Sequence, residues 1–328
     1  MQQQPMRRPA TAARRLASQA SFKALTPLAV LAAALAAFAF LAGLAAPALA
    51  AGRASAGRSH GSSSWSLSKQ SDVRKSFTLA AAPAARIVEV DNFHGAVRVV
   101  SHPGNEVTIV VHQTWSANSD AKLAEAQRDV RLDISQAGDR LRLYVDGPFR
   151  SRDGGIDFHG WESAGYEAHF DFELEVPADV ELHAKTVDGG GVQVTGVAGP
   201  FSVSNVNGPV TLERMGGAGS AHTVNGELHA SFDRNPGGAC TFGTINGRID
   251  VTFRPDLAAD LLFKTLNGEV YTDFPYTFRD LPAASGEDSR GRHHLRSRGE
   301  FAARVAAGGA QLAFSTINGD ILIHRQPS

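Results

Sequence analysis

This 328-residue sequence predicts an all-β fold, a β-solenoid or β-roll made of coils of about 20 residues, with Asn-Gly corners and one short helix in its N-terminal part. The first observation is a four-residue motif that ends in Asn-Gly or Asp-Gly and occurs six times. The second is its spacing, because successive Asn or Asp residues of the motif are 19, 18, 21, 21 and 51 residues apart. The third is that alternating apolar residues flank each copy, as in strands. A fixed period of this length indicates repeats that stack and bury one another's faces.

The motif places a turn-forming pair at the same position of every copy. We expect glycine to supply a positive φ at each corner, and the Asn or Asp side chain to satisfy backbone groups and to hydrogen-bond along the stack. A ligand-binding ladder of asparagines is the alternative, although turn chemistry alone accounts for these residues. The predicted turn residues are Asp188, Gly189, Asn207, Gly208, Asn225, Gly226, Asn246, Gly247, Asn267, Gly268, Asn318 and Gly319.

An antiparallel meander of six hairpins is the alternative fold, because Asn-Gly is also the strongest short hairpin signal. A parallel solenoid stacks equivalent residues of successive coils in columns, and a meander does not require such columns. Threonine lies two residues before the Asn or Asp in five of the six copies, which favours the solenoid. Strand parity predicts that these threonines point inward rather than forming an exposed ice-binding array. They are Thr186, Thr223, Thr244, Thr265 and Thr316.

The N-terminus resembles an export signal. Residues 1–50 contain five basic and no acidic residues, and an apolar run from Leu28 to Leu49 is followed by Ala50. This pattern predicts a signal peptide at 1–50, with an uncleaved membrane anchor as the alternative. We therefore expect an exported protein, in the periplasm, at the cell surface or secreted, with membrane contact only through an uncleaved segment. The remaining chain has 27 basic and 33 acidic residues, which gives it no general attraction to nucleic acid.

The mature chain divides into three predicted parts. Residues 51–75 are rich in Ser, Gly and Arg and predict a flexible leader. Residues 76–180 predict a β-rich segment with one helix capped by Ser119, and Arg86 to Val100 resembles a degenerate first copy of the repeat. Residues 181–328 predict the Asn-Gly solenoid, interrupted by a basic surface loop at about 275–300.

One loop is the best candidate for binding. Between about 147 and 165, Gly-rich sequence brings acids, a histidine and aromatic rings together, and such residues can stack on a sugar ring and accept hydrogen bonds from its hydroxyls. A loop that caps the open end of the solenoid would have a similar composition. The candidate residues are Asp157, Phe158, His159, Trp161 and Glu162.

Other reactive residue types predict no chemistry. Cys240 is the only cysteine, so no intramolecular disulfide is possible, and its position in the repeat predicts a core residue. His293 and His294 lie among arginines without the spacing of a zinc site. We therefore expect no metal and no cofactor.

The repeated Thr-x-Asn-Gly motif, the N-terminal Val90-x-Asn92-x-x-Gly95-x-Val97 segment and the export signal resemble the bacterial DUF4097 family over about residues 75–325. Members of this family are β-strand-repeat proteins of the cell envelope that are classed as adhesins. The resemblance implies a non-enzymatic, extracytoplasmic role and supplies no catalytic or binding residues.

The sequence therefore predicts an exported, non-enzymatic, adhesin-like binding or scaffold module with an envelope polysaccharide or a protein as its partner. A carbohydrate-active β-helix enzyme is the first alternative, and it would need paired carboxylates on neighbouring coils. The outward positions after the glycines do include Glu227, Glu269 and Asp320, but Pro209 and Arg248 interleave with them, as on a solvated face. An envelope-stress accessory protein is the second alternative. Open solenoid ends also predict end-to-end self-association.

Overall fold

The structure, a computed structural model, describes residues 65–80, 85–151, 156, 164–278, 284–287, 293–296 and 299–327. The predicted signal peptide at 1–50 lies outside the described residues. Across the described ranges, no helix has the length and apolar character needed to cross a membrane.

The described chain is mostly β. Among the described residues of the first half there is one helix, α1 (Asp120–Asp129), which begins as predicted after Ser119. The Ser119 side chain accepts a hydrogen bond from the Lys122 backbone N–H. The strands of this half are β1 (Leu67–Thr78), β2 (Ile87–Asp91), β3 (Val97–His102), β4 (Glu106–Ala117), β5 (Arg131–Ala137), β6 (Arg140–Asp146), β7 (Tyr166–Pro177), β8 (Glu181–Lys185) and β9 (Val192–Thr195).

The second half continues with short strands separated by the Asn-Gly motifs. They are β10 (Phe201–Ser204), β11 (Val210–Met215), β12 (Gly219–His222), β13 (Leu228–Phe232), β14 (Cys240–Gly243), β15 (Ile249–Phe253), β16 (Ala259–Asn267), β17 (Val270–Thr272), β18 (Tyr276–Phe278), β19 (Ala284–Glu287), β20 (His293–Arg296), β21 (Gly299–Val305), β22 (Ala310–Asn318) and β23 (Ile321–Arg325).

These strands form two large sheets among the described residues, and neither sheet closes on itself. The first sheet has the strand order β1-β4-β7-β3-β9-β11-β13-β15-β23-β17-β20-β19. The second has the order β18-β21-β16-β22-β14-β12-β10-β8-β2-β6-β5. From β8 to β17, consecutive strands along the chain alternate between the two sheets.

Neighbouring repeats pair in parallel and in register. In the first sheet, Val210 is the Cα partner of Val192 on one side and of Leu228 on the other. In the second sheet, Val203 is the partner of Ala184 and of Ala221. The antiparallel meander is excluded for these repeats, because neighbouring strands of a meander run in opposite directions.

The segment before the six motifs forms a seventh copy of the repeat. Strands β2 and β3 pair in parallel with β8 and β9, and a bridge joins His94 to Asp188. His94 therefore occupies the position that Asn or Asp holds in the other copies.

The last copy is not the last in space. Strand β22 lies between β14 and β16, and β23 lies between β15 and β17. The C-terminal repeat is thus inserted between two repeats that precede it in the chain, an order that the sequence does not predict.

Two predicted irregular segments contain strands. The prediction of a flexible leader at 51–75 is wrong for residues 67–75, because β1 starts at Leu67 and pairs antiparallel with the edge of β4. The prediction of a surface loop at about 275–300 is also wrong for the described residues of that segment, since β18, β19, β20 and β21 pair antiparallel at the ends of both sheets. In both places the segment covers a strand edge whose backbone groups would otherwise lack partners.

The core lies between the inward faces of the two sheets. Alternate residues of almost every repeat strand are buried, as period-two packing requires. A row of aromatic rings runs through the C-terminal part, where Phe314 stacks on Phe242 at 5.3 Å and on Phe263 at 5.4 Å between ring centroids. The core is therefore continuous across the inserted repeat.

Candidate functional site

The residue two places before each Asn or Asp is buried, and in every copy but that of Thr265 its side chain bonds to the neighbouring repeat. The hydroxyl of Thr223 donates to the backbone carbonyl of Gly208 at 2.8 Å, and that of Thr244 donates to Gly226 at 3.0 Å. Asn205, the exception to the threonine column, donates from Nδ2 to Gly190 at 3.0 Å. These inward side chains satisfy carbonyls at the connections, as a structural role predicts.

The asparagines themselves form an exposed ladder. The Nδ2 of Asn225 donates to Oδ1 of Asn207 at 2.9 Å, and Asn246 donates to Asn225 at 2.8 Å. The ladder continues from Asn318 to Asn246 at 2.7 Å and from Asn267 to Asn318 at 2.9 Å. All these amides point the same way, so their dipoles are aligned and the hydrogen bonds reinforce one another.

Glycine is required after each asparagine mainly because a side chain there would overlap the neighbouring repeat. Only Gly189, Gly208 and Gly319 among the six predicted turn glycines have positive φ. A Cβ added at Gly247 would lie 1.9 Å from the carbonyl oxygen of Gly226, and one at Gly268 would lie 1.8 Å from that of Gly319. The expectation of a positive φ at every corner is therefore wrong for Gly226, Gly247 and Gly268, where close stacking excludes any side chain.

A groove lies on the outer face of the first sheet, beside the N-terminal end of the ladder. Its floor includes Ala96, Gly191 and Pro209, which stand next to one another on or beside β3, β9 and β11. Because three neighbouring strands carry small or compact residues there, the surface dips and encloses about 580 Å³. The polar side chains that line it are Arg98, His112, Asp171, Glu173, Gln193 and Thr211.

A second depression adjoins the first along β3, β7 and β4. It encloses about 400 Å³ and shares Arg98 and Glu173 with the larger groove. Thr108 and Glu175 complete its polar lining. Arg98 and Glu173 are exposed Cα partners on neighbouring strands, so an acidic and a basic group stand side by side where the two depressions meet.

A cluster of histidines and carboxylates borders the larger groove. His94 Nδ1 lies 3.4 Å from Glu167 Oε1, and Glu167 also accepts a hydrogen bond from the Trp65 indole at 2.7 Å. His169 Nε2 lies 2.9 Å from Asp171 Oδ1, which in turn accepts from the Ala96 backbone N–H at 2.8 Å. The rings of His94 and His169 are edge to face at 4.8 Å.

The two histidines of this cluster differ in proton affinity. Burial, followed by the charge of His169, lowers the pKa of His94. The hydrogen bond with Asp171 raises the pKa of His169. Burial opposes ionisation of Asp171, but its bonds to His169 and the Ala96 N–H outweigh it and lower its pKa. On acidification, His169 therefore protonates before His94, beside the groove wall.

The loop residues that the sequence analysis selected lie outside the described residues: Asp157, Phe158, His159, Trp161 and Glu162. Sequence analysis missed the groove, because its residues come from strands far apart in the chain. The available signal was the triple glycine at 189–191, which removes side chains from one strand end.

The remaining candidate residues are Cys240, His293 and His294. Cys240 is 1% exposed, as expected of a core residue, and burial raises the pKa of its thiol to about 11. The backbone of His293 and His294 belongs to β20. Within the described ranges, no group of three or more His, Cys, Asp or Glu residues is arranged to hold a metal ion.

No family model matches the chain, and no curated protein matches it. Among solved structures, it is similar to a proposed cell adhesion protein from Clostridium sporogenes ATCC 15579, with a TM-score of 0.38 and 8% identity over 79% of this chain and 100% of that one. A proposed adhesin from Bacteroides fragilis NCTC 9343 gives 0.23 and 7% over 78% and 97%. One from Parabacteroides merdae ATCC 43184 gives 0.18 and 9% over 78% and 96%. At these values the similarity assigns no function.

Proposed function

We propose that the chain is an exported, adhesin-like binding module of the cell envelope, and that it binds an envelope polysaccharide along the outer face of the first sheet. The observation that carries this proposal is the pair of joined depressions, about 580 and 400 Å³, that share Arg98 and Glu173. They form a half-open track lined by both polar and apolar residues rather than a closed pocket, which suits an extended polymer better than a small molecule.

The chemistry of the lining fits a polyhydroxylated ligand. Carboxylates of Asp171 and Glu173 accept hydrogen bonds from hydroxyls, and Arg98 and Gln193 donate to ring and hydroxyl oxygens. Neighbouring strands are about 4.8 Å apart, so equivalent positions recur at a fixed interval across the face, and on β3, β9 and β11 they carry Arg98, Gln193 and Thr211. A polymer of similar repeat length can contact one polar side chain on each successive strand.

The repeat architecture supports a scaffold that presents this face rigidly. We propose that the two sheets wind as a flattened solenoid, with the Asn-Gly pairs at its corners. The in-register parallel pairing and the asparagine ladder support this geometry. In such a stack each repeat contacts mainly its neighbours, and the outer face stays straight and long.

The test is a binding assay with isolated envelope polymers. The purified chain is incubated with peptidoglycan, outer-membrane and exopolysaccharide fractions, and bound protein and released sugar are both measured. Saturable binding without sugar release is the expected result. Release of reducing or unsaturated ends would instead identify the carbohydrate-active enzyme, and binding to the outer-membrane fraction that protease abolishes would identify a protein partner.

A matched pair of variants locates the binding face. Ala96→Leu fills the floor of the larger groove from the outer face, and we expect it to weaken binding at least tenfold. Thr252→Leu, on β15 of the same face but outside both depressions, should leave affinity unchanged. If both variants and the parent protein bind with equal affinity, the binding site lies elsewhere.

A further inference from the structure

The repeat formed by residues 310–325, here called the C-terminal coil, fills a slot between two repeats that precede it in the chain. On one side, Phe314 is the Cα partner of Phe242, and on the other it is the partner of Phe263. In the first sheet, Ile321 likewise stands between Ile249 and Val270. The coil therefore completes both sheets at once, and its removal would leave four parallel strand edges facing an empty space.

The contacts of the C-terminal coil are those of a complete repeat. Leu312, Phe314, Ile321 and Ile323 are fully buried, and Asn318 bonds to asparagines on both sides of the ladder. One short segment thus completes both sheets and the asparagine ladder. Such a segment can be supplied equally well by the same chain or by a second copy.

The connection to the C-terminal coil is short and strained. Residues 306–309 link β21 to β22, and these two strands lie on opposite sides of β16, with Val305 and Ala310 both registered to Ala259. Ala306, which is not glycine, has a φ of 51°, and Gly308 and Gly309 have φ values of 75° and 158°. A non-glycine residue in this region is costly, and short hinges under strain favour exchange of the element that they carry.

The seam between the C-terminal coil and β16 also lacks one contact. The hydroxyl of Thr316 donates across the opposite seam to the carbonyl of Gly247 at 3.3 Å. The corresponding hydroxyl of Thr265, on β16, is buried without a hydrogen-bond partner among the described residues. A buried unsatisfied hydroxyl weakens this seam relative to its neighbours.

From these features we infer that the C-terminal coil is exchangeable, so that the coil of one copy fills the slot of a second copy. Opening the hinge at 306–309 removes the strain at Ala306, and the slot regains the same contacts from the partner's coil. Exchange joins copies without a new interface, and it would display several outer faces together.

Disulfide trapping distinguishes exchange from surface association. Two full-length chains in a Cys240→Ala background, one with Asn246→Cys and one with Asn318→Cys, are mixed at high concentration, briefly destabilised with denaturant, returned to native buffer and oxidised. Neighbouring strands place the Cα atoms about 4.8 Å apart, within disulfide reach. We expect a covalent heterodimer on a non-reducing gel, at a yield at least tenfold above that of the control pair.

The control pair carries Asn207→Cys and Asn225→Cys, which are hydrogen-bonded neighbours in repeats away from the terminus. A single chain that carries both Asn246→Cys and Asn318→Cys should form an intrachain disulfide. That disulfide shows that the variants fold, and it should abolish exchange. Ala306→Gly should lower the heterodimer yield several-fold by relieving the hinge. Equal heterodimer yields from the slot pair and the control pair, with the intrachain disulfide formed, would overturn the inference.

Discussion

At the scale of single residues, the short distance to the neighbouring repeat explains why each Asn-Gly pair contains glycine. Turn chemistry predicts glycine for its φ, yet Gly226, Gly247 and Gly268 do not have positive φ. Each instead faces the carbonyl of the adjacent glycine at a distance that no Cβ can share. The sequence therefore predicts which residues form the motif, but the reason for glycine is apparent only from the stacked repeats.

This explanation predicts different effects at two glycines. Gly247→Ala should destabilise the protein by about 1–3 kcal/mol, because the added methyl overlaps a backbone carbonyl that cannot move freely. Gly237→Ala should be neutral or slightly stabilising, because no atom lies within 4 Å of its Cβ position. Denaturant unfolding of both variants measures the free energies. Equal values would show that clearance does not explain the motif.

His222 gives a prediction for pH. Burial lowers its pKa to about 4, so the folded state holds the ring neutral while the unfolded state protonates near the usual value of about 6.5. Between these values the unfolded state binds the extra proton, and stability therefore falls as pH falls from about 6.5 to about 4. The total loss should be about 3 kcal/mol, and His222→Gln should remove that part of the pH dependence. An identical pH profile in the variant, measured by urea unfolding, would contradict this assignment.

At the scale of elements, the buried threonine column links repeats through carbonyls, but one link is missing. Thr244→Val should cost about 1 kcal/mol, because it removes the bond to Gly226. Thr265→Val should cost nothing or stabilise slightly, because the hydroxyl it removes has no partner among the described residues. Paired thermal and denaturant unfolding compares the two. A larger loss at Thr265 would show that its hydroxyl is bonded in solution.

The repeat strands are predictable from sequence because turn residues and alternation coincide at each motif. The strands of the 275–300 segment are not, because Arg, Pro and Gly there lack apolar alternation and the pairing comes from the open edges of β16 and β17. Strand β1 is likewise not predictable from the sequence, because its side chains are largely exposed and its pairing with β4 positions it. Edge strands of this kind are specified by the sheet more than by their own residues.

At the scale of the whole molecule, neither the order of the repeats nor the groove can be derived from the sequence. Phe242, Phe263 and Phe314 occupy equivalent positions, so the motif permits any of these repeats to be neighbours, and only the structure places Phe314 in the middle. The groove needs Ala96, Gly191 and Pro209 on adjacent strands, although they are far apart in the chain. Each residue taken alone resembles part of an ordinary solvated surface.

We propose that the outer face of the first sheet binds an envelope polysaccharide at the joined depressions. Hydrogen exchange with mass spectrometry, with and without the polymer fraction that binds the protein, tests it most directly. We expect slower exchange in peptides that cover β3, β7 and β9, and no change in β10, β12 and β14 of the opposite sheet. Protection confined to residues 147–165, or to the opposite sheet, would contradict the account.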